Sequence, residues 1–334
     1  MATSSRIVLS LRRPPEELTL SLLGIHHITA FAGDPQTNLD FFTKVLGLRF
    51  IKQTVNFDDV EHYHLYFADR IGTPGTVMTY FAHPGAKRAD PACGQIDTVR
   101  LAIPAGSADA WAARLEQRNV AFERAGASPH TVLRLTDPDG LPLELHERDL
   151  AVERFEPWLN GDQQSDMAIT GFSGVRMAVK DIEPSSTFLT NVLGLVHDES
   201  SDTSEGGKGT VLRVPMDHRK ARIEVFKDST RGRGRFGPGT VHHIAWRVAD
   251  DAALMSWQAR LSAEKVNVTD VRERKYFRSI YFREPGGIVF EIATDGPGFT
   301  ADESEDNLGG SLQLPVWLED RRAEIAPNLP PLTV

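Results

Sequence analysis

The sequence contains the stretch FFTKVLGL at residues 41–48 and repeats it, with two substitutions, as FLTNVLGL at residues 188–195. A second stretch, DPDGLPLE at 137–144, returns as EPGGIVFE at 284–291, and both repeats are separated by 147 residues. A constant spacing between repeated stretches indicates an internal duplication. Two domains of common origin are therefore predicted, one at residues 23–150 and the other at 168–296.

Periodicity divides each half again, into two modules of the form βαβββ. In every module four strand-like runs accompany one run whose apolar residues have helical spacing. The predicted helices are residues 35–46, 107–117, 184–193 and 252–263. We predict an α+β fold in which the four βαβββ modules form two concave mixed-sheet barrels.

The remaining residues are expected to extend or connect these modules. Residues 1–22 form an N-terminal extension, residues 151–167 a linker between the halves, and residues 297–334 a C-terminal tail. The stretch 228–239 is rich in glycine and arginine, which is typical of a connecting loop. The tail is acidic and then proline-rich, and we expect it to pack across the surface or to fray in part.

Composition excludes several classes of protein. The chain has 334 residues, a net charge of −9 and a hydrophobic fraction of 40%, which is typical of a globular protein and not of a disordered one. An acidic chain without clustered lysine and arginine is not expected to bind nucleic acid. The single cysteine, Cys93, cannot form an internal disulfide, and residues 1–23 have neither a signal peptide nor a membrane span, so we expect a cytosolic protein with no membrane partner.

Two His-His pairs stand at matching places in the chain. His26-His27 and His242-His243 each begin the first strand of a module, in modules one and four. Side chains alternate between the two faces of a strand, so one histidine of each pair faces a given side. The apolar residues Ile28 and Ala30 in one strand, and Ile244 and Trp246 in the other, define the side that faces the helix. Alternation then places His27, His243 and also Thr29 on the concave face.

A carboxylate completes this set. In the last predicted strand Ile288, Phe290 and Ile292 form the helix-facing row, so Glu291 faces the concavity. Two imidazoles and one carboxylate leave open coordination positions and suit non-haem Fe(II), with Mn(II) possible. The sequence thus predicts a metal site formed by His27, His243 and Glu291.

The duplication supplies an internal control for this prediction. The residues that match His27 and His243 in the other two modules are Gly174 and Thr98, which carry no imidazole, although Glu144 is a copy of Glu291. We therefore expect modules one and four to close around a metal, while modules two and three support the fold.

The competing interpretation is that these histidines are structural, as most isolated histidines are. Three observations count against it. Both His-His pairs have the same place in their strands, the predicted ligands face the same side, and the duplicated copy of the site has no histidines. The other histidines have no such support, and we interpret them as structural or exposed. They are His62, His64, His83, His130, His146, His197 and His218.

At these residues the sequence resembles the vicinal oxygen chelate superfamily and, within it, the hydroquinone ring-cleaving dioxygenases. The shared stretches span almost the whole chain after residue 22. They are IHHIT at 25–29, YHLYFAD at 63–69, GTPGTVMT at 72–79, the pair at 242–243, GGIVFE at 286–291 and GFT at 298–300.

The resemblance implies site residues as well as a reaction. Its iron ligands fall on His27, His243 and Glu291, and its neighbouring catalytic groups fall on His26, Thr29, His242, Arg274 and Tyr281. Alternation supports Thr29 but places His26 and His242 on the face opposite the ligands. The implied reaction is Fe(II)-dependent, extradiol-type ring cleavage of a small dihydroxyaromatic compound with O2. A homo-oligomer is possible.

Two rival functions remain open at this point. The first is a glyoxalase-like isomerase or lyase, whose metal usually has four protein ligands; the fourth position falls here on Thr79, which counts against it. The second is a non-catalytic binding protein for small molecules, which is generally shorter and has no such triad. The sequence alone does not choose between a hydroquinone and a catechol.

Overall fold

The computed structural model describes residues 20–128, 130–148, 156–159, 165–198, 209–232 and 234–334. Most of the predicted N-terminal extension, and most of the predicted linker between the halves, lie outside the described residues. Among the described residues no helix is long and apolar enough to cross a lipid bilayer.

Two eight-stranded mixed sheets form the molecule, which confirms the predicted α+β class. The order in the first sheet is β14-β15-β16-β13-β1-β4-β3-β2. Its strands are β1 (Ile25–Ala32), β2 (Arg49–Asn56), β3 (Asp59–Ala68), β4 (Val77–Ala82), β13 (Val241–Val248), β14 (Arg272–Glu273), β15 (Arg278–Arg283) and β16 (Val289–Thr294). The sheet thus joins module one to module four.

The second sheet joins modules two and three, so each sheet takes one module from each half of the duplication. Its order is β10-β11-β12-β9-β5-β8-β7-β6. Its strands are β5 (Gln95–Pro104), β6 (Glu123–Ala125), β7 (Val132–Thr136), β8 (Pro142–Arg148), β9 (Gly171–Val179), β10 (Val196–His197), β11 (Gly209–Arg213) and β12 (Arg222–Lys227).

The four module helices follow the predicted positions, with one difference at the repeated stretch, and the C-terminal tail adds two short helices that were not predicted. They are α1 (Pro35–Asp40), α2 (Ala108–Gln117), α3 (Ile182–Thr187), α4 (Asp251–Ala263), α5 (Val316–Glu319) and α6 (Arg322–Ile325). Residues 41–45 and 188–192 are π-helical turns, because the N–H of Leu46 bonds to the carbonyl of Phe41 five residues earlier. Gly47 ends the first turn in the left-handed region at φ 72°, where a glycine is favoured.

The sheets bury their convex faces against these helices. Ile28, Ile244 and Phe290, from three adjacent strands, are fully buried in the main hydrophobic core. Burying a side chain of this size contributes roughly 1.5–3 kcal/mol. Since these residues alternate with the predicted ligands, burial of the convex row fixes which side chains face the concavity.

The C-terminal tail packs on module one. The fully buried ammonium of Lys52 donates to Asp302 at 2.7 Å and also bonds to Glu303. Farther along, the hydroxyl of Tyr63 donates to the carbonyl of Pro330 at 2.9 Å. The tail therefore covers the outer strands β2 and β3 of the first sheet.

Candidate metal centre

Two β-bulges determine where the paired histidines point. In the antiparallel pair β1 and β13, His26 is the extra residue on β1 and His242 is the extra residue on β13. A bulge interrupts the alternation of side chains between the two faces. His242 consequently lines the same cavity as His243, and His26 packs on the ring of Phe277, which also covers His27. The prediction that His26 and His242 lie on the opposite face is therefore wrong.

Three side chains from adjacent strands meet on the concave face. The Nε2 atoms of His27 and His243 are 3.2 Å apart. Oε2 of Glu291 lies 3.2 Å from Nε2 of His27 and 2.8 Å from Nε2 of His243. Their exposed fractions are 2, 4 and 0%, so water does not reach them freely. The structure brings the three predicted ligands together.

The chemistry of this set fits a divalent cation. Both carboxylate oxygens of Glu291 are buried and accept no hydrogen bond, although Oε2 has two imidazole nitrogens beside it. Burial alone would raise the pKa of Glu291, but the two imidazoles hold that pKa well below its usual range. Burial lowers the pKa of His243, which keeps a nitrogen lone pair available. An ionised carboxylate and imidazole lone pairs are the ligands that Fe(II) and Mn(II) accept.

The second sheet fills the equivalent place with a guanidinium group. Arg100 Nε lies 2.8 Å from Oε2 of Glu144, the copy of Glu291, and Arg100 Nη2 lies 2.5 Å from Oε2 of Glu224. Glu224 is in register with Arg176 on β9, and Thr79 is in register with Thr29 on β1. Glu224 therefore has the position in the second sheet that Thr79 has in the first. The second sheet therefore also has buried carboxylates, but the positive charge beside them is the guanidinium of Arg100 and not a metal ion.

A cavity of about 200 Å³ opens beside the triad. Its walls are largely aromatic and include Phe31, Phe57, Phe81 and Phe277. A pocket of about 150 Å³ is large enough for benzene, whereas pockets for drug-sized ligands are typically about 300–1,000 Å³. The cavity therefore has the size and lining expected for one substituted aromatic ring.

Arg274 and Tyr281 stand together at this cavity. Nε of Arg274 donates to the hydroxyl of Tyr281 at 3.0 Å, and its Nη2 lies 3.1 Å from Oδ2 of Asp58. Burial raises the pKa of the Tyr281 phenol above its usual range, so it is a neutral hydrogen-bond donor. The ring of Tyr281 is 5.7 Å from that of His243. Both predicted side chains therefore face the space next to the triad.

Sequence reasoning missed a polar chain on the opposite wall. His64 Nε2 lies 2.8 Å from Oγ1 of Thr79, which bonds in turn to Oγ1 of Thr29 at 2.8 Å. His64 Nδ1 lies 2.8 Å from the hydroxyl of Tyr66. Burial lowers the pKa of His64 well below its usual range, so its imidazole is neutral. The interpretation of His64 as merely structural or exposed is incomplete, because this residue lines the cavity.

The signal for His64 was present in the sequence. Tyr63, Leu65 and Phe67 form the core-facing row of β3, so alternation alone puts His64 and Tyr66 on the concave face. Of the five predicted neighbours of the metal, His242, Arg274 and Tyr281 line the cavity. Thr29 does not line the cavity and reaches the lining residue His64 through Thr79, while His26 is buried with its Nδ1 2.9 Å from Nδ1 of His27.

A model of the Glyoxalase/Bleomycin resistance protein/Dioxygenase superfamily matches residues 24–145 and 171–292, which are close to the two copies inferred from the repeat. The chain is 40% identical to the Bacillus subtilis protein named "Putative ring-cleaving dioxygenase MhqO", over 93% of this chain and 97% of that protein. It is 33% identical to the chlorohydroquinone/hydroquinone 1,2-dioxygenase of Sphingobium indicum, over 90% of this chain and 94% of that protein.

Solved structures agree with these sequence relatives. The crystal structure of a dioxygenase described as putative, from Bacillus subtilis, superposes with a TM-score of 0.87 at 40% identity and covers 94% of this chain and 98% of that one. Glyoxalase I from Zea mays superposes with a TM-score of 0.57 at 14% identity, covering 81% and 92% of the two chains. The maize enzyme shares the fold alone.

Proposed function

This chain belongs to the glyoxalase/bleomycin resistance protein/dioxygenase superfamily, and on that premise we propose that it is an Fe(II)-dependent, extradiol-type dioxygenase that cleaves the ring of hydroquinones or related dihydroxyaromatic compounds with O2. The observation that carries the proposal is the buried set of two histidines and one carboxylate, open on one side to an aromatic cavity of about 200 Å³. Mn(II) is the second choice of metal.

The chain would hold the metal through His27, His243 and Glu291. Fe(II) bound there would offer open coordination positions to a substrate oxygen and to O2 and would supply the redox chemistry between them. The protein's own part is to keep these positions dry and oriented. The bulges at His26 and His242 support that role, because each places a second imidazole against a ligand.

The cavity walls would orient the substrate ring. Phe31 and Phe81 stand 5.8 Å apart, and Phe277 packs at 4.9 Å from the ring of His27. These contacts join the side chains into a continuous aromatic wall, on which a flat ring can pack and from which water is excluded. A single ring held in one orientation meets a second reactant in a fixed geometry, which removes much of the entropic barrier.

Arg274 and Tyr281 would act on the substrate oxygens. The neutral phenol of Tyr281 donates a hydrogen bond, and the guanidinium of Arg274 holds that phenol in place from 3.0 Å. Donors that are already oriented stabilise negative charge as it develops on oxygen. On the other wall, the hydrogen bonds of His64 to Thr79 and to Tyr66 would hold polar groups in place beside the substrate ring.

An isomerase of the glyoxalase type is the alternative on the same fold. The place of a fourth ligand is taken by Thr79, whose hydroxyl is already bonded to Thr29 and His64. A site with three ligands and an aromatic cavity favours ring chemistry. A non-catalytic binding protein is a weaker alternative, because it gives no reason for a buried carboxylate without hydrogen bonds.

The proposal also includes a cytosolic setting, supported by the single cysteine, which is buried and not in a disulfide. A homo-oligomer stays a prediction.

The substrate is tested by O2 uptake of anaerobically Fe(II)-loaded protein with hydroquinone, methylhydroquinone or catechol. Methylglyoxal with glutathione is the parallel test for the isomerase.

We expect O2 uptake with a hydroquinone and a ring-opened product. Preference for catechol would keep the reaction class and change the substrate. Thioester formation with Ni(II) or Zn(II), and no O2 uptake, would leave the cavity correct and the proposed chemistry wrong.

A further inference from the structure

We propose that Asp59, His62 and His83 form a second binding site for a divalent transition metal, at the edge of the cavity. One donor atom from each residue lies within 4.8 Å of the other two. The residues are two histidines and one carboxylate, which is a ligand set suited to Zn(II), Co(II) and Ni(II) as well as Fe(II). No sequence motif pointed to them.

Strand pairing brings the three residues together. Tyr63 on β3 pairs with Ala82 on β4, so the next positions along this antiparallel ladder, His62 and His83, face each other. Asp59 stands at the start of β3, and its Oδ2 lies 2.8 Å from Nδ1 of His62. The rings of His62 and His83 are stacked with their centroids 4.0 Å apart.

The state of His83 points to a ligand. Its Nε2 is buried and has no hydrogen-bond partner, which is unfavourable for a buried imidazole nitrogen. A cation bound by Asp59 and by both imidazoles would give His83 the polar partner that its buried nitrogen lacks.

This second site differs from the first in exposure. The side chains of His62 and Asp59 are 26% and 43% exposed, whereas those of the triad are nearly inaccessible. Water can therefore complete the coordination, and the metal should exchange faster than one held by the triad. Because His83 also lines the cavity, an ion here would lie at its edge. The inference does not depend on the proposed ring cleavage.

The test is a titration of metal-free full-length protein with Co(II), followed by visible absorption and by metal analysis after gel filtration. We expect two equivalents for the wild type and one for Asp59→Asn and for His62→Gln. His243→Ala should also bind one, and His243→Ala combined with His62→Gln should bind none. His197→Gln, which changes an exposed histidine on β10, is the matched control and should bind two.

Circular dichroism and thermal melting establish that each variant is folded, and the two substitutions on β3 serve as independent checks. A single equivalent in the wild type that is lost in His243→Ala and kept in Asp59→Asn and His62→Gln would overturn the inference. Two equivalents whose number is unchanged by both Asp59→Asn and His62→Gln would also overturn it. If instead the triad binds no metal while an equivalent dependent on His62 persists, the proposed function fails and this site stands.

Discussion

Arg100 is in register with Glu144 on adjacent strands of the second sheet, and Ala245 is in register with Glu291 at the equivalent place in the first sheet. The guanidinium Nε of Arg100 lies 2.8 Å from Oε2 of Glu144. The duplicated scaffold therefore keeps a buried carboxylate in both sheets but neutralises it in two ways. In the second sheet the cation is a side chain, and in the first there is room for a metal.

Removal of a triad ligand should abolish metal binding and turnover while the fold is kept. We expect His27→Ala, His243→Ala and Glu291→Ala each to lower turnover at least about 100-fold, because even residues that only support ligands commonly matter 10–100-fold. Metal analysis with O2 uptake measures the effect. Full activity in Glu291→Ala would place the reaction elsewhere.

Glu144→Ala should lower the free energy of unfolding and leave turnover nearly unchanged, the reverse of the effect expected for the triad variants. It removes one of the two carboxylates that hold the buried guanidinium of Arg100, the other being Glu224, and breaking a buried pair costs up to about 3–5 kcal/mol. Turnover at a temperature where the variant is folded should be nearly unchanged. Urea unfolding and O2 uptake separate the two effects. Loss of activity in Glu144→Ala, with retention in Glu291→Ala, would mean that the wrong sheet has been chosen.

The acid dependence of stability should carry a signature of Glu144. Burial would raise its pKa, but the hydrogen bond with His146 and the charge of Arg100 lower the pKa to about 2. A depressed pKa in the folded state adds stability that is fully present above the unfolded pKa of about 4.3 and is lost as the pH falls toward 2. The contribution is on the order of 3 kcal/mol.

Glu144→Gln isolates this contribution, because the amide does not titrate. The difference in unfolding free energy between wild type and Glu144→Gln should shrink as the pH falls from about 5 to about 3, because the unfolded pKa of a glutamate is about 4.3. Urea unfolding at each pH measures this difference. A difference that is constant over that interval would show that Glu144 is not held ionised by its neighbours.

Tyr281→Phe should lower turnover without removing the metal. The variant keeps the ring beside His243 and loses the hydroxyl that Arg274 holds at 3.0 Å. Loss of one oriented donor typically lowers kcat by about 100-fold or more. Arg274→Lys should resemble it, because an ammonium does not reproduce the fork of a guanidinium. Unchanged kcat in both variants would remove these residues from the reaction.

The three candidate ligands could be predicted from the sequence because they depend on two simple regularities. The constant spacing of the repeat located equivalent modules, and strand alternation selected His27, His243 and Glu291 from their neighbours. The same alternation failed at His26 and His242, because a bulge is a property of how two strands pair and leaves no clear mark in either strand alone.

Other features depend on contacts between distant segments. His83 faces His62 only because β3 and β4 pair in one register, and the tail packs on Lys52 through Asp302 and Glu303 without any periodic pattern. The π-helical turn at 41–45 was predicted as plain helix, because apolar spacing at residues 39, 42 and 46 does not distinguish the two.

The central claim is tested most directly with isotopically labelled oxygen. Fe(II)-loaded protein is given a hydroquinone under ¹⁸O2, and the product is analysed by mass spectrometry. Incorporation of both oxygen atoms into a ring-opened product is the predicted result, absent in Glu291→Ala and present in Glu144→Ala. A quinone without label, or an unchanged hydroquinone while the triad holds its metal, would contradict the account.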